Sequence, residues 1–251
     1  MSKKSEQRQD AIVKQLIEEG TVSVHDLSET FGVSQETIRQ DLSRLENLGL
    51  CARTHGGAAL TGYSEVSIDF KASEHASEKN RIARTAVNFI PDGSQIWIGP
   101  GSTLSCIVRY LPLRKDLTII TNSLDLAEGA RATKHDVIFL GGRVQKKGSC
   151  TTGAFAMENL SHLRIDLALI GCDGFSGSDG PTVLSFEEME IKRCVLKKAK
   201  QKILVCDSSK FLHTGSYIFA KNSDFDILIT DCVPPDARKL LDGIGEIILA
   251  D

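Results

Sequence analysis

The pattern of apolar and polar positions divides the chain into two parts. Between residues 23 and 47, apolar side chains recur at helical spacing in two runs separated by Gly32. Ser23 and Ser34 stand where N-caps of these helices are expected, and Gly32 tolerates the positive φ of a tight turn. From residue 95 onward, short apolar runs alternate with helical patterns. The first part is therefore predicted to be two helices joined by a tight turn, and the second an α/β fold.

The second helix of the first part has two chemically distinct faces. Ile38, Leu42 and Leu45 fall on one face, whereas Glu36 and Gln40 fall on the opposite one. An apolar back and a hydrogen-bonding front suit a helix that enters the major groove of DNA. An ordinary helical hairpin with a solvated outer face has the same pattern, so the pattern alone leaves both interpretations open.

The residues after this helix favour DNA binding. Residues 50–58 contain short strand-like pieces, two basic side chains and the flexible pair Gly56-Gly57, which is typical of a β-wing that reaches phosphate or the minor groove. The expected DNA contacts are Ser34, Gln35, Thr37, Arg39, Gln40, Arg44, Arg53 and His55. Residues 1–60 hold seven Lys and Arg against nine Asp and Glu, so nonspecific affinity for DNA should be weak.

A further helix is expected over residues 7–19. It offers a basic side chain that can pair with the acidic residue Asp41. Asp41 lies at the edge of the apolar stripe of the second helix, where an unpaired carboxylate would be costly. Arg8 is predicted to pair with it in a structural role.

The second part alternates strands with helices. Strands are predicted over residues 95–98, 117–120, 137–140, 167–170, 203–205, 227–230 and 246–249. Helices are predicted over residues 77–90, 103–111, 124–132, 154–162, 187–199 and 235–241. This alternation predicts a largely parallel sheet with helices on its faces, whose ligands bind at the carboxyl ends of strands.

Polar residues follow several of these strands. The loop 99–103 follows a strand and opens a helix, so its backbone N–H groups and two hydroxyl groups can bind a phosphate monoester. The candidate effector-binding residues are Gly101, Ser102, Thr103, Asn122, Ser123, Gly142, Arg143, Asp173 and Lys210. For Asp173 and Gly142 a simple turn is an equally good interpretation. Glu188 and Lys192, one helical turn apart, are either a solvated ion pair or ligand residues.

Composition and length limit the class of protein. The 251 residues, 41% hydrophobic and 25% charged, suit a globular chain of two modest domains. No apolar run approaches a membrane span, and the first ten residues lack the apolar region of a secretory signal. Seven scattered cysteines without a C-x-x-C pair favour reduced thiols in a cytoplasm, and no metal site is expected.

Specific segments resemble the DeoR family of bacterial transcriptional repressors. The resemblance rests on Arg8 with Ile12 and on residues 34–42 and 53–58 near the N-terminus. It continues through residues 78–83, 121–123, 141–142, 188–193 and 207–211, and so covers nearly the whole chain. Two positions differ: Gln40 stands where the family commonly has a second basic residue, and Gly99 where it often has Asp.

The resemblance implies an organisation and a function. Residues 1–60 would form a winged helix-turn-helix, 61–76 a linker, and 77–251 a sugar-phosphate-sensing domain similar in fold to ribose-5-phosphate isomerases and CoA transferases. The protein would be a cytoplasmic repressor of carbohydrate-catabolism genes, with neither cofactor nor membrane contact. A phosphorylated sugar would release it from double-stranded operator DNA. Because reading a palindromic operator requires at least a dimer, we expect a homo-oligomer, either a dimer or a tetramer.

An enzyme is the alternative. The second part could be a phosphosugar isomerase with a helical appendage, in which Asp173 or Glu188 would be the general base. This hypothesis leaves the winged-helix pattern without a purpose, so a regulator without catalytic residues is favoured.

Overall fold

The computed structural model describes residues 3–19, 21–47, 51–54, 56–59, 75–145 and 149–251. The chain divides into two compact units, Met1–Ser67 and Ile68–Asp251. Most of the predicted linker, residues 61–74, lies outside the described residues, as does His55 of the predicted wing. Among the helices of the described part, none is long and apolar enough to cross a membrane.

The described residues of the first unit form helices and a small antiparallel sheet. The helices are α1 (Lys3–Glu19), α2 (Val24–Phe31) and α3 (Gln35–Asn47), and the strands are β1 (Thr21–Ser23), β2 (Ala52–Thr54) and β3 (Gly57–Ala59). The sheet order is β1-β3-β2. The two helices and the winged segment are thus confirmed. Strand β1 was missed because three residues are too few to show an alternating pattern.

The predicted turn between α2 and α3 is confirmed in its details. Ser23 Oγ accepts the N–H groups of His25 and Asp26 at 3.2 and 3.5 Å. Gly32 ends α2 in the left-handed conformation, with φ 61°. Ser34 Oγ accepts the N–H of Thr37 at 3.2 Å and so caps α3.

The sequence had indicated that Gly57 is part of a flexible tip, but the structure places it in a strand. It pairs with Ser23 in the β1–β3 ladder. A Cβ atom at this position would lie 1.8 Å from the carbonyl oxygen of Val22. Only glycine lets the two strands approach this closely, so the residue fixes the wing against β1.

The second unit is built mainly from alternating strands and helices. Its described α-helices are α4 (Ala76–Val87), α5 (Ser102–Ser105), α6 (Leu124–Arg131), α7 (Ala154–Ser161) and α8 (Phe186–Lys198). Its described strands are β4 (Gln95–Ile98), β5 (Thr118–Thr121), β6 (Asp136–Phe139), β7 (Arg143–Val144), β8 (Thr151–Thr152), β9 (Ile165–Ile170), β10 (Gly174–Phe175), β11 (Pro181–Val183), β12 (Ala199–Val205), β13 (Tyr217–Ile218), β14 (Ile227–Thr230) and β15 (Glu246–Leu249).

A parallel sheet with the order β15-β14-β12-β9-β4-β5-β6 forms the centre of this unit. Every strand predicted from the sequence belongs to it, which confirms the predicted fold class. Neighbouring positions of one strand enter different cores: Trp97 packs in the core with Leu160 of α7 and Val195 of α8, whereas Ile96 packs in the core with Ile82 of α4. Helices therefore cover both faces, as in other parallel sheets.

Several predicted helices differ from the structure in type or in where they end. The segment predicted as 103–111 is one turn of α5 followed by the 3-10 helix Cys106–Leu113, which contains Pro112. Pro235–Leu241 is also a 3-10 helix. Helix α8 ends at Lys198, and Ala199 already begins β12.

Two small sheets were missed. One is the antiparallel sheet β10-β11-β13, and the other is the pair β7-β8. Their strands are two or three residues long. Strands this short have no detectable hydrophobic period, so only tertiary contacts identify them.

Candidate DNA-binding and effector sites

Helix α3 presents a polar face beside the wing. Ile38, Leu42 and Leu45 are buried, and Gln35, Glu36, Arg39, Gln40 and Arg44 are exposed. Thr37 is half-buried, with its hydroxyl 2.9 Å from that of Ser34. The candidate residues of α3 therefore lie on its outer side. Hydrogen-bonding side chains are thus exposed on one face of α3, as a helix that enters a DNA groove requires.

Two surface depressions flank α3. One is lined by residues that include Thr37, Gln40 and Arg44, and the other by residues that include His25 and Gln35. Arg39 and Arg53 line both. Arg39 and Arg53 therefore lie where the two depressions adjoin.

Arg39 makes only weak contacts on its own helix. Its Nη2 donates to Gln35 Oε1 at 3.3 Å, and its Nη1 lies 3.6 Å from Glu36 Oε2. The Arg39 side chain is 46% exposed. Exposed pairs of this kind contribute little to stability, so DNA can displace them at small cost.

Arg53 is held against α3 rather than extended from the wing. Its Nη1 donates to Ser43 Oγ at 2.9 Å, and its backbone N–H donates to Glu46 Oε1 at 2.9 Å. Sequence reasoning had not assigned this role to Ser43 or Glu46. Both lie one or two turns after Arg39 on α3, and only the fold brings strand β2 beside them.

The acid at the edge of the α3 core has the predicted partner. Arg8 Nε donates to Asp41 Oδ2 at 2.6 Å, and Gln9 Nε2 donates to Asp41 Oδ1 at 2.6 Å. Asp41 is 3% exposed. Each carboxylate oxygen thus accepts a hydrogen bond from α1, which fixes the angle between α1 and α3.

In the second unit, three neighbouring strands end at one edge of the sheet. Residues 99–103 follow β4, residues 171–173 follow β9, and residues 206–210 follow β12. The loop after β4 contacts β9 itself, because Gly99 N–H donates to Leu169 O at 3.1 Å. Ser102 and Thr103 are buried at this edge.

Buried charges lie around this edge. Asp207 is 1% exposed, and its carboxylate caps the turn at Ser209. Burial alone would raise the pKa of Asp207, but Lys210 and Ser209, with Lys79 and His75, hold it below its usual value. Asp207 therefore stays ionised, and it interacts favourably with Lys79 of α4 and with Lys210 of the segment after β12.

Lys79 was missed as a site residue, although the sequence contains a signal for it. It lies three residues before Ile82, on the apolar stripe of α4, and is 2% exposed. A lysine on a buried stripe requires a compensating charge. Lys79 contributes to lowering the pKa of both Asp207 and the nearby Cys106 thiol, although burial leaves the latter raised overall.

Lys192 is not part of a solvated ion pair. It is 3% exposed, and its Nζ lies 2.7 Å from Glu188 Oε1 and donates to Gly171 O at 2.7 Å. The ammonium also lies 5.0 Å from the centre of the Phe219 ring. Through its hydrogen bond to Gly171 O, Lys192 therefore holds the loop after β9 in place.

The other candidate effector residues have structural partners. Ser123 Oγ caps α6 through Leu126 N–H at 3.3 Å, and Asn122 Nδ2 donates to Thr151 O at 2.7 Å. Asn122 Oδ1 is buried and has no hydrogen-bond partner within the described part of the chain. Arg143 is exposed and pairs with Glu187 at 2.9 Å.

Two further candidates lie in loops of this unit. Asp173 Oδ2 accepts Leu184 N–H at 3.2 Å. Gly142 has φ 108°, and a Cβ atom there would lie 2.7 Å from Thr152 O. Gly142 thus permits close packing against β8. The candidates after β4, β9 and β12 lie on adjacent strands, whereas Asn122, Ser123, Gly142 and Arg143 lie toward the β5 and β6 side. Among the described residues no cluster fits a metal ion.

Comparison with known proteins gives consistent matches for both units. A family model described as a DeoR-like helix-turn-helix domain matches residues 8–62, and one described as a DeoR C terminal sensor domain matches residues 74–232. The chain is 32% identical to the glycerol-3-phosphate regulon repressor of Escherichia coli (strain K12), over 92% of this chain and 93% of that protein. It is 33% identical to the transcriptional repressor GlcR of Bacillus subtilis (strain 168), over 96% and 94%.

Solved structures with a similar arrangement are more distant. Ribose 5-phosphate isomerase from Plasmodium falciparum aligns with a TM-score of 0.40 and 20% identity, over 54% of this chain and 52% of that one. A 4-hydroxybutyrate CoA-transferase from Porphyromonas gingivalis aligns with a TM-score of 0.41 and 14% identity, over 66% and 51%. These scores are too low to say anything about activity.

Proposed function

The chain belongs to the DeoR family of transcriptional repressors, and on that premise we propose that it reads a palindromic operator as a homo-oligomer and is released by a phosphorylated sugar. It is a DNA-binding regulator with a C-terminal sensor domain, and not an enzyme. The isomerase alternative is not favoured, because the relatives matched over nearly their whole length are named as repressors.

The proposal for DNA places α3 in the major groove. Gln40 and Arg39 are exposed on its polar face, and their side chains can read adenine and guanine respectively. Ser34, Gln35, Thr37 and Arg44 would contact neighbouring bases or phosphates. Arg53, held at Ser43, would reach the DNA backbone at the edge of the same groove.

The proposal for the effector rests on one observation: the buried Lys79, the partly buried Lys210 and the ionised Asp207 lie where three adjacent strands end. Lys79 and Lys210 both act on Asp207, and the Ser102-Thr103 turn lies on the neighbouring strand β4. A phosphate dianion would be held by the lysines and by the hydroxyl and N–H groups of that turn. Gly101, Asn122, Ser123, Gly142, Arg143 and Asp173 would border the sugar.

The names of the relatives agree with this ligand class. They include repressors of a glycerol-3-phosphate regulon and of a lactose phosphotransferase system, the latter from Streptococcus mutans and 30% identical to this chain. We therefore propose a sugar or polyol phosphate as the effector.

The homo-oligomer follows from the way such proteins read DNA. A single α3 covers one half-site, so a palindromic operator requires two copies related by a two-fold axis. We propose a dimer or a tetramer.

A thermal-shift screen of the full-length protein against phosphorylated sugars tests the effector proposal. A ligand that binds the native state raises Tm, by an amount that grows with its concentration over Kd. Trp97, the single tryptophan of the sequence, lies two residues before Gly99 and gives an independent fluorescence signal. Each unphosphorylated parent sugar is the control. Equal shifts with parent and phosphorylated sugar would reject a phosphate site.

A further inference from the structure

Two cysteines lie side by side at the carboxyl edge of the sheet. The last paired residues of β12 and β9 are Leu204 and Ile170, and Cys206 and Cys172 each follow two residues later. Continuing this register places the two cysteines opposite each other. Both belong to the same face of the sheet, since Cys206 is part of the core that contains Trp97 and Cys172 packs against that core.

The spacing of the strands permits a covalent bond between these cysteines. Neighbouring strands lie about 4.8 Å apart, and disulfides form at Cα separations of about 4.4–6.8 Å. The two thiols are close enough to influence each other, because Cys172 raises the pKa of the Cys206 thiol. All seven cysteines of the chain are free in this structure.

We propose that Cys172 and Cys206 form an intramolecular disulfide when the protein is exposed to a hydroperoxide. The bridge joins the loop that leads to Asp173 with the loop that leads to Asp207. It therefore adds a covalent link between the ends of two adjacent strands.

The two thiols have different roles in this reaction. Cys206 is 2% exposed, whereas Cys172 is only partly buried, so the peroxide reaches Cys172 first. The neighbouring Cys172 and burial raise the pKa of the Cys206 thiol, which keeps Cys206 protonated. Cys172 is thus the nucleophile and Cys206 the resolving thiol.

The steps balance without any other reagent. The Cys172 thiolate attacks the peroxide, an S–O bond forms, the O–O bond breaks, and the leaving oxygen takes a proton. Cys206 sulfur then attacks the Cys172 sulfenic sulfur, the S–S bond forms and the S–O bond breaks. The departing hydroxide takes the Cys206 proton and leaves as water. Two thiols are oxidised and one hydroperoxide is reduced.

Peptide mapping of the full-length protein after hydrogen peroxide treatment tests the proposal. We expect a linked peptide containing Cys172 and Cys206, formed at a rate independent of protein concentration and reversed by dithiothreitol. Cys172→Ala and Cys206→Ala should each abolish it, and the exposed-site control Cys232→Ala should leave it unchanged. In Cys206→Ala, dimedone should label Cys172.

Two results would overturn it. One is the absence of the linked peptide at peroxide doses that already oxidise Cys232. The other is a linked peptide that forms only in denaturant or only at high protein concentration. Because the first readout uses the unmodified sequence, a variant that fails to fold cannot decide the outcome.

Discussion

Arg39 shows at the scale of one residue how α3 is expected to recognise DNA. Its contacts with Gln35 and Glu36 are long and exposed, so the guanidinium can leave them for a base edge. We expect Arg39→Ala to weaken specific operator binding by about 1–3 kcal/mol, at a single base position. Gel-shift or anisotropy titrations with operator variants measure this.

A matched control is available for Arg39. Arg131 also forms an exposed pair with a glutamate three residues earlier on its helix, but it lies in the second unit. Arg131→Ala should leave operator affinity unchanged. If Arg39→Ala weakens binding equally to all DNA sequences and makes affinity less dependent on salt, Arg39 contacts a phosphate rather than a base.

Asp207 leads to a prediction about pH. Because the folded pKa of Asp207 is below its ordinary value of about 3.9, its ionisation contributes stability that is present above that value. This stability is lost as pH falls through the lower folded pKa. The Tm of Asp207→Asn should therefore be below that of the parent at pH 7, and the difference should shrink in acid. A difference that is constant from neutral to acidic pH would contradict this account.

Residue pairs differ in how well the sequence predicts them. The Arg8–Asp41 pair was predictable, because an acid beside an apolar stripe needs a partner and α1 offers a basic side chain. The burial of Lys192 was not. Its sequence neighbours fit a surface ion pair, and only the packing of Phe219 and the Gly171 loop shows that it is inside.

The wing is the element whose position depends most on one small residue. A Cβ atom at Gly57 would lie 1.8 Å from Val22 O, whereas one at Gly56 would meet nothing within 4 Å. We expect Gly57→Ala to lower the unfolding free energy of the first unit by about 1–3 kcal/mol. Gly56→Ala should cost little. Thermal unfolding of both variants is the measurement, and equal Tm values would contradict the close approach of β3 to β1.

The wing also carries the second basic group of the proposed DNA site. Replacing Arg53 and His55 together with Ala should lower operator affinity but leave the preferred sequence unchanged, because these residues are proposed to contact phosphate or the minor groove. Ser43→Ala, which removes the support of Arg53, should have a smaller effect in the same direction. An unchanged Kd of the double variant at physiological salt would reject the role of the wing.

Elements differ in how far their sequences determine them. The strands of the central sheet were predictable because buried parallel strands are continuous apolar runs between turn residues. The helices at 103–111 and 235–241 have helical spacing, yet their backbones are mostly 3-10. Pro112 lies in the first of these, and a proline cannot donate the hydrogen bond of an α-helix.

At the scale of the whole molecule, the two activities must be coupled. If a sugar phosphate weakens operator binding, operator DNA must weaken sugar-phosphate binding by the same factor. Helix α4 is the described element that follows the predicted linker. Lys79 in its first turn and His75, the residue before it, act on Asp207. A ligand at Asp207 and Lys210 would therefore act on the element that continues into the linker.

The most direct test of this account is operator release by Lys210→Ala. The effector is the phosphorylated sugar with the largest thermal shift for the parent protein, and the control is Lys115→Ala, an exposed lysine of the same unit. The measurement is the effector concentration that releases half of the bound operator. Losing one charge-assisted hydrogen bond should raise this effector concentration roughly 10- to 100-fold for Lys210→Ala. The affinity of Lys210→Ala for the operator should be unchanged, and Lys115→Ala should behave like the parent. Release of Lys210→Ala at the parent's concentration would contradict the account.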